Sequence, residues 1–339
     1  MFETGLFDWQ ERLQNLDKNG DPLLMLNKLV PWESFRSTIE KIRIKKRKNN
    51  SGRKSYDGVL MFKILILQSL YNLSDDSTEY QIMDRISFMR FLGLGVGDRI
   101  PDAKTIWHFR EQLTNADIIE KLFYSFDSYL QSSGFSAKKG QIVDASIVRT
   151  PVQRNTRKEN AIIKQGEEPE DWNLSKKRQK DLDARWVTKN GTSSYGYKNH
   201  INIDVENKLI RSYEVTDASV HDSNVIHELL EVPNSSGDVW ADSAYRSYDT
   251  EKKLKESGHR SHIQRKGYRD HKLTNWEIQG NHTRSKTRSR VEHIFGVQSQ
   301  VAGNLILRSI GIIRARTKIG LRNLAYNLNR YKTLADSEF

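Results

Sequence analysis

An α/β protein preceded by an all-helical segment is the fold class this sequence predicts, and three observations carry that expectation. Up to about residue 135 the apolar residues recur at helical intervals. Past Ser132, Ser133 and Gly134 the period becomes that of strands. Those strands then alternate with helices after an opening meander, the pattern of a mixed sheet covered on its faces.

Taken in order, residues 57–73 have dense apolar spacing and predict a core helix. Lys63, Gln68 and Asn72 interrupt the run VLMFKILILQSLYNL, which is too short and too polar for a membrane span. Residues 76–92 place Tyr80, Met83, Ile86, Met89 and Leu92 at helical intervals. The turn GLGVGDRIP follows, and Asp102 stands where an N-cap belongs, ahead of a helix with Ile106, Phe109 and Leu113 on one face. Helix, turn and capped helix suggest a helix-turn-helix-like unit that directs Lys104, Thr105, His108 and Arg110 outward. A last helix at 117–131 closes a helical N-terminal domain, 1–135.

The second domain, 136–339, opens with a strand at 140–150, GQIVDASIVRT. Residues 151–193 are polar and read as an excursion from the core. A hairpin over 195–215 turns at Glu206 and Asn207, a helix spans 219–232 with Ser219 or Asp222 as its cap, and a strand covers 237–245. A helix near 248–257, a short strand at 262–265, a basic loop and helices at 289–301 and 313–334 complete the chain.

Composition narrows the function. The 339 residues carry a net charge of +12, with a pI near 9.6 and a mean hydropathy of −0.72. Such a surplus favours polyanions, because neutralising phosphates releases condensed counterions. It is also unevenly spread. Residues 41–54 hold eight basic side chains and no acidic one, Lys45, Lys46 and Arg47 among them, and every charged residue from 301 to 334 is basic. These two tracts point to nucleic acid. Cysteine is absent, so disulfides and thiolate metal sites are excluded and a reducing cytosol fits. The first ten residues lack the basic region and cleavage site of a signal peptide. No Walker-type phosphate loop occurs, which leaves ATP hydrolysis without support.

Three carboxylates stand in unusual settings. Asp144 lies in mid-strand within IVDASIV, sharing a face with Ile142, Ser146 and Val148. Asp242 closes the run Val239–Trp240–Ala241, and Glu292 lies one helical turn after Arg288. Each has an ordinary structural reading when taken alone: a hydrogen-bonded strand residue, a turn former, a salt-bridge partner. Brought together they would repel one another unless a cation sat among them, and hard divalent ions accept such oxygen ligands. Paired ions of this kind serve phosphodiester chemistry.

The element order with those acidic positions resembles the ribonuclease H-like fold of DDE transposases. The surrounding words resemble the insertion sequence five family of bacterial transposases (IS4/IS5-like). IVDASIV is similar to the first-Asp motif, residues 183–204 to the stretch through the central hairpin, and VTDASVHDS to the turn before the next helix. WADSAYRS resembles the second-Asp motif, RSRVEHIFG the Glu motif, and the stretch from Ser55 to Ile82 the helical domain. The resemblance implies metal-binding catalysis by Asp144, Asp242 and Glu292, with Mg²⁺ or Mn²⁺, as two ions. It implies double-stranded DNA partners (terminal inverted repeats and target), a homodimer or larger synaptic assembly, and a bacterial cytoplasmic, nucleoid-associated location. Arg288 matches the family's Arg four residues before the Glu. Ser285 replaces the Tyr common three residues before that Arg, and Ser299 the basic residue usual seven after the Glu. Arg288, Lys198, Arg290, Lys104, Arg110 and the Lys45–Lys46–Arg47 tract are the expected phosphate and DNA contacts, with Lys286 and Arg308 as substitutes at the lost basic position. The expected activity is end cleavage and strand transfer. The alternatives are a catalytically silent DNA-binding descendant and a nuclease of the same fold without strand transfer.

Overall fold

Residues 8–43, 55–151, 155–189, 191–230, 234–269, 271–302 and 305–336 are described by the computed structural model. The chain divides into two units, one of residues up to 125 together with those from 328 onward, the other of residues 126–327. The Lys45–Lys46–Arg47 tract lies outside the described residues.

The first unit is helical: α1 (Asp8–Lys18), α2 (Pro22–Leu29), a 3-10 turn at Trp32–Phe35, α3 (Arg36–Arg43), α4 (Gly58–Tyr71), α5 (Asp75–Asp84), α6 (Ile86–Leu92) and α7 (Ala103–Asn115), before α8 (Ile119–Ser132). The apolar run at 59–73 becomes α4, buried on most sides, and its three polar interruptions all find uses. Lys63 donates to Asn27 Oδ1 at 2.8 Å and lies over the rings of Trp32 and Phe91. Gln68 donates to Asp75 and Thr78. Asn72 adopts a left-handed φ of 50° and caps the helix. Asp102 caps α7 as expected, accepting from Thr105 N at 2.6 Å.

The single helix expected at 76–92 is two. Arg85 is extended between α5 and α6, its guanidinium over Tyr71 and Phe88, and Tyr80 and Met83 are exposed. Arg110 corrects a second expectation. It is buried rather than directed outward, pairing with both oxygens of Asp75 at 2.7 and 2.8 Å. Lys104 and His108 are exposed. Among the described residues no helix is long and apolar enough to cross a membrane.

The second unit holds β1 (Gln141–Arg149), α9 (Arg157–Lys164), α10 (Leu174–Gln179), β2 (Arg185–Lys189), β3 (Thr192–Asp204), β4 (Ile210–Asp217), α11 (Ile226–Leu229), β5 (Asp238–Trp240), α12 (Tyr248–Glu256), β6 (Arg260–Ser261), α13 (Asn275–Arg288), α14 (Arg290–Ala302) and α15 (Ile312–Asp336) as far as Asn327. Strand order is β2–β3–β1–β5–β6, with β4 also on β3. β1 runs antiparallel to β3 along its whole length and parallel to β5 through only two pairs, Gln141 with Val239 and Ile142 with Trp240. An antiparallel meander joined to parallel strands, with helices on both faces, is the expected ribonuclease H-like sheet.

β1 alternates between two cores. Val143 packs with Val225, Ile226, Leu229, Val239 and Leu254 on one face. Val148 packs with Tyr197, Val215, Leu307 and Ile319 on the other. The strand is entered at Gly140, whose φ is +90° and where a Cβ would stand 2.6 Å from the Asp238 carbonyl oxygen.

Five expectations change here. The polar excursion contains α9, α10 and β2, and α9 opens with a capping box between Thr156 and Glu159. The helix expected at 219–232 shrinks to a 3-10 turn at Asp222–Asn224 and the single turn of α11. The Leu229 carbonyl instead accepts from Asn202 at 2.7 Å and from Ser212, so sheet side chains replace the next helical bond. β5 ends at Trp240 because Asp242 accepts from Ala244 N at 2.8 Å and turns the chain, and the following strand pairs at 260–261 rather than 262–265. The basic loop contains α13, opened by a capping box between Thr274 and Glu277.

Candidate active site

Asp144 lies two residues past Ile142, where β1 is paired on both edges, and its backbone lies opposite Ile201 of β3. Asp242 follows the end of β5 by two residues. Asp144 is 8% exposed. Burial pushes its carboxyl up to about 6; the Ala145 N–H and the Arg288 guanidinium pull it back, and the charge of Asp242 pushes it further up.

Arg288, at the end of α13, reaches two of the three carboxylates. One terminal nitrogen donates to Asp144 Oδ2 at 2.9 Å and the other to Glu292 Oε1 at 2.8 Å. Its Nε is buried and has no hydrogen-bond partner. Asp144 and Glu292 therefore share one cation, and Asp242 stands near enough to act on Asp144 through its charge. α13 reaches this position through polar contacts. Asn281 accepts from Arg265 N and donates to Arg265 O, both at 2.9 Å, and Gln264 donates to Ser285 Oγ at 2.6 Å. Ser285, where the family has Tyr, thus has its own partner.

The other expected contacts lie elsewhere. Lys198 is buried and donates to Asp222 Oδ1 at 2.8 Å and to the Val220 carbonyl at 2.6 Å. It sits opposite Ile147 in the β1 register, so it faces away from Asp144. Its ammonium is committed inside the protein, which removes it as an outward phosphate contact. Arg290 donates one terminal nitrogen to the Val205 carbonyl at 2.8 Å. His200 is fully buried, lies 3.0 Å from Thr216 Oγ1, and is lowered by burial to about 4. His221, rather than Ser219 or Asp222, caps the 3-10 turn at Asp222–Asn224.

Tyr245 was not singled out by the sequence. Its hydroxyl is buried with no hydrogen-bond partner. Its pKa is raised well above the ordinary value by burial and then by the charges of Asp222, Asp144 and Asp242. Its place in WADSAY, three residues after an acidic candidate, is the signal that could have marked it.

The donor set suits a hard divalent cation, since all candidate ligands are carboxylate oxygens around a desolvated Asp144. In the present arrangement the guanidinium of Arg288 supplies that positive charge. Among the described residues no three His, Cys, Asp or Glu side chains stand close enough together to hold an ion.

A family model described as a transposase DDE domain matches residues 136–328. This chain belongs to that family. A second model, described as a transposase domain (DUF772), matches residues 11–112. The protein is thus a DNA transposase, an enzyme of a class whose DDE domains generally use divalent metal ions. A cryo-EM structure of the piggyBac transposase synaptic complex with hairpin DNA is also similar, at 14% identity and a TM-score of 0.45, over 94% of this chain and 76% of that one.

Proposed function

We propose that this transposase cuts DNA at the ends of its own element and joins the freed end to target DNA, with Asp144, Asp242 and Glu292 as the metal-holding catalytic carboxylates. The observation that supports this reading most directly is the Arg288 bridge between Asp144 and Glu292, beside an Asp144 already burdened by the charge of Asp242. A buried acid that feels a second acid's charge and shares a cation with a third, exposed one is the arrangement expected of a cation-dependent site. When bound by these three side chains, Mg²⁺ or Mn²⁺, as two ions, would activate the attacking oxygen and offset charge on the leaving oxygen.

The chain's own groups do the rest. The doubly paired start of β1 fixes Asp144 against recoil, and the Asp242 cap fixes the turn after β5. Arg288 orients Glu292 and, once a DNA phosphate approaches, offers it a planar two-pronged donor. Water attacks the phosphodiester at the element end, forming a new P–O bond as the bond to the 3′ oxygen breaks; one proton passes to solvent and the leaving oxygen gains one. The resulting 3′-OH attacks a target phosphodiester in the same way and displaces the target's 3′ oxygen.

The domain assignment belongs to the same proposal. The helical first part (1–135), with Lys104 exposed on α7 and the basic tract at 41–54, binds terminal inverted repeats, and residues 136–339 form the catalytic domain. Two ends must be held together, so the working form is a homodimer or larger. The decisive experiment incubates purified protein with Mg²⁺ or Mn²⁺ and DNA carrying the native element ends. Cleavage and joining lost in Asp144→Asn, Asp242→Asn and Glu292→Gln support the assignment; cleavage that survives all three rules it out. Wild-type cleavage without joining selects the nuclease alternative, and end binding without either step selects the silent DNA-binding one.

A further inference from the structure

Beside the candidate carboxylates, on the face of the sheet covered by α14 and α15, lies a cavity of about 330 Å³. Ser146, Asn199, Phe295, Gln298, Ser299 and Arg322 are among its lining residues. Ser146 follows Asp144 by two residues on the same face of β1, and Ser299 follows Glu292 by seven on α14. The strand rise puts Ser146 about 7 Å beyond Asp144, and the helical rise puts Ser299 about 10 Å beyond Glu292. On both β1 and α14 the lining of the cavity thus includes residues past the carboxylate.

Arg322 is the buried cation of this cavity, whose lining also includes the exposed Arg149. Arg322 enters from α15, is 9% exposed, and donates to the Gln298 carbonyl. Burial lowers it to about 10, so its charge gains from any anion that reaches it. The wall around it is fixed by amides: Asn199 and Asn323 donate to each other at 2.9 and 3.0 Å, and Gln298 donates to Asn323 at 3.2 Å. A guanidinium flanked by amide and hydroxyl groups, with an aromatic ring on one wall, suits a phosphate oxyanion and its sugar.

We propose that this cavity binds a backbone phosphodiester of the DNA substrate, with Arg322 as its cation, in the space beside Ser299. The inference rests on the site assignment made under Proposed function. At a rise of about 3.4 Å per step, an offset of 7–10 Å places the bound phosphate about two or three steps from the one cleaved. Arg322 thus provides the charge that Ser299 does not, from a different helix.

The test uses the full chain and a duplex carrying an element end with its flank, read by binding against salt concentration and by methylphosphonate substitution at single phosphates. Arg322→Gln should lower the salt slope by about one and abolish sensitivity to methylphosphonates two or three steps from the cleavage point. Arg322→Lys should retain most of both, and Arg322→Gln combined with Ser299→Lys should restore them. Ser299 is exposed, so Ser299→Glu is a second variant that does not depend on tolerance of the buried arginine; it should weaken binding about tenfold by placing a like charge at the phosphate. Unchanged slope and interference in both Arg322→Gln and Ser299→Glu overturn the proposal. So does inorganic phosphate raising the wild-type melting temperature through Arg322 while no methylphosphonate has an effect, since the site would then hold a free anion. Wild-type protein that neither binds nor cleaves the ends counts against the site assignment instead.

Discussion

Two arginines in the second unit each stand between two carboxylates, yet they are finished to different degrees. Arg211 is almost fully buried and uses all three of its nitrogens, donating to Asp204 at 3.1 Å, Asp127 at 2.8 Å and the Phe135 carbonyl at 2.5 Å. Both of its acids are buried as well. Arg288 uses two nitrogens, leaves a buried Nε without a partner, and joins the buried Asp144 to an exposed Glu292. The first arrangement satisfies every group it encloses and behaves as a structural fastener. The second leaves donor and acceptor capacity unused, as a site that receives something must.

Breaking this contrast should give effects of very different size and kind. The largest is on activity. Asp144→Asn should lower end cleavage by at least about 10³-fold while the protein remains folded, because it removes a group needed only for chemistry; single-turnover cleavage against circular dichroism checks both halves. Next is Arg211→Met, which strands two buried carboxylates and should cost about 3–5 kcal/mol of stability, read by denaturant unfolding. Arg288→Gln should invert that profile. Cleavage falls by about 10²-fold through misplacement of Glu292, while stability falls less than in Arg211→Met, because Glu292 is exposed and Asp144 can take up a proton.

A smaller effect sharpens the electrostatics of Asp144. Its pKa rises from 3.8 unfolded to about 6 folded. Below pH 3.8 the carboxyl is protonated in both states; between there and about 6 only the unfolded chain ionises, so stability falls as pH rises through that window. Asp144→Asn removes the penalty. The variant should gain on the wild type by on the order of 1–3 kcal/mol above pH 6 and by nothing at low pH, measured as the difference in melting temperature across a pH series. The smallest effect is Thr274→Ala, which removes the cap of the helix carrying Arg288 and should cost about 1 kcal/mol with only a modest loss of cleavage.

Much of this was legible in the chain because it follows from local pattern. β1, the β3–β4 hairpin, α4 and the Asp102 cap all announce themselves by alternation, helical period or a capping residue. The acidic trio stood out because a carboxylate in a buried strand is expensive. What escaped had other causes. Arg110 and Lys198 looked like free cations, and only the fold supplies Asp75 and Asp222, 35 and 24 residues away along the chain. α13 has no buried residue, so it lacks an apolar stripe, although its Thr274–Glu277 capping box was readable. α11 stops early because Asn202 and Ser212, remote in sequence, take its carbonyl.

The mismatch in length between β1 and β5 has a consequence of its own. β1 continues seven residues beyond its last pairing with β5, and β5 ends two residues short of Asp242. The edge of β1 beside Asp144 is therefore left without a β5 partner by main chain that stops, rather than by side chains that happen to be small. Such a feature survives substitution of the side chains around it, because it is set by where the neighbouring strand ends.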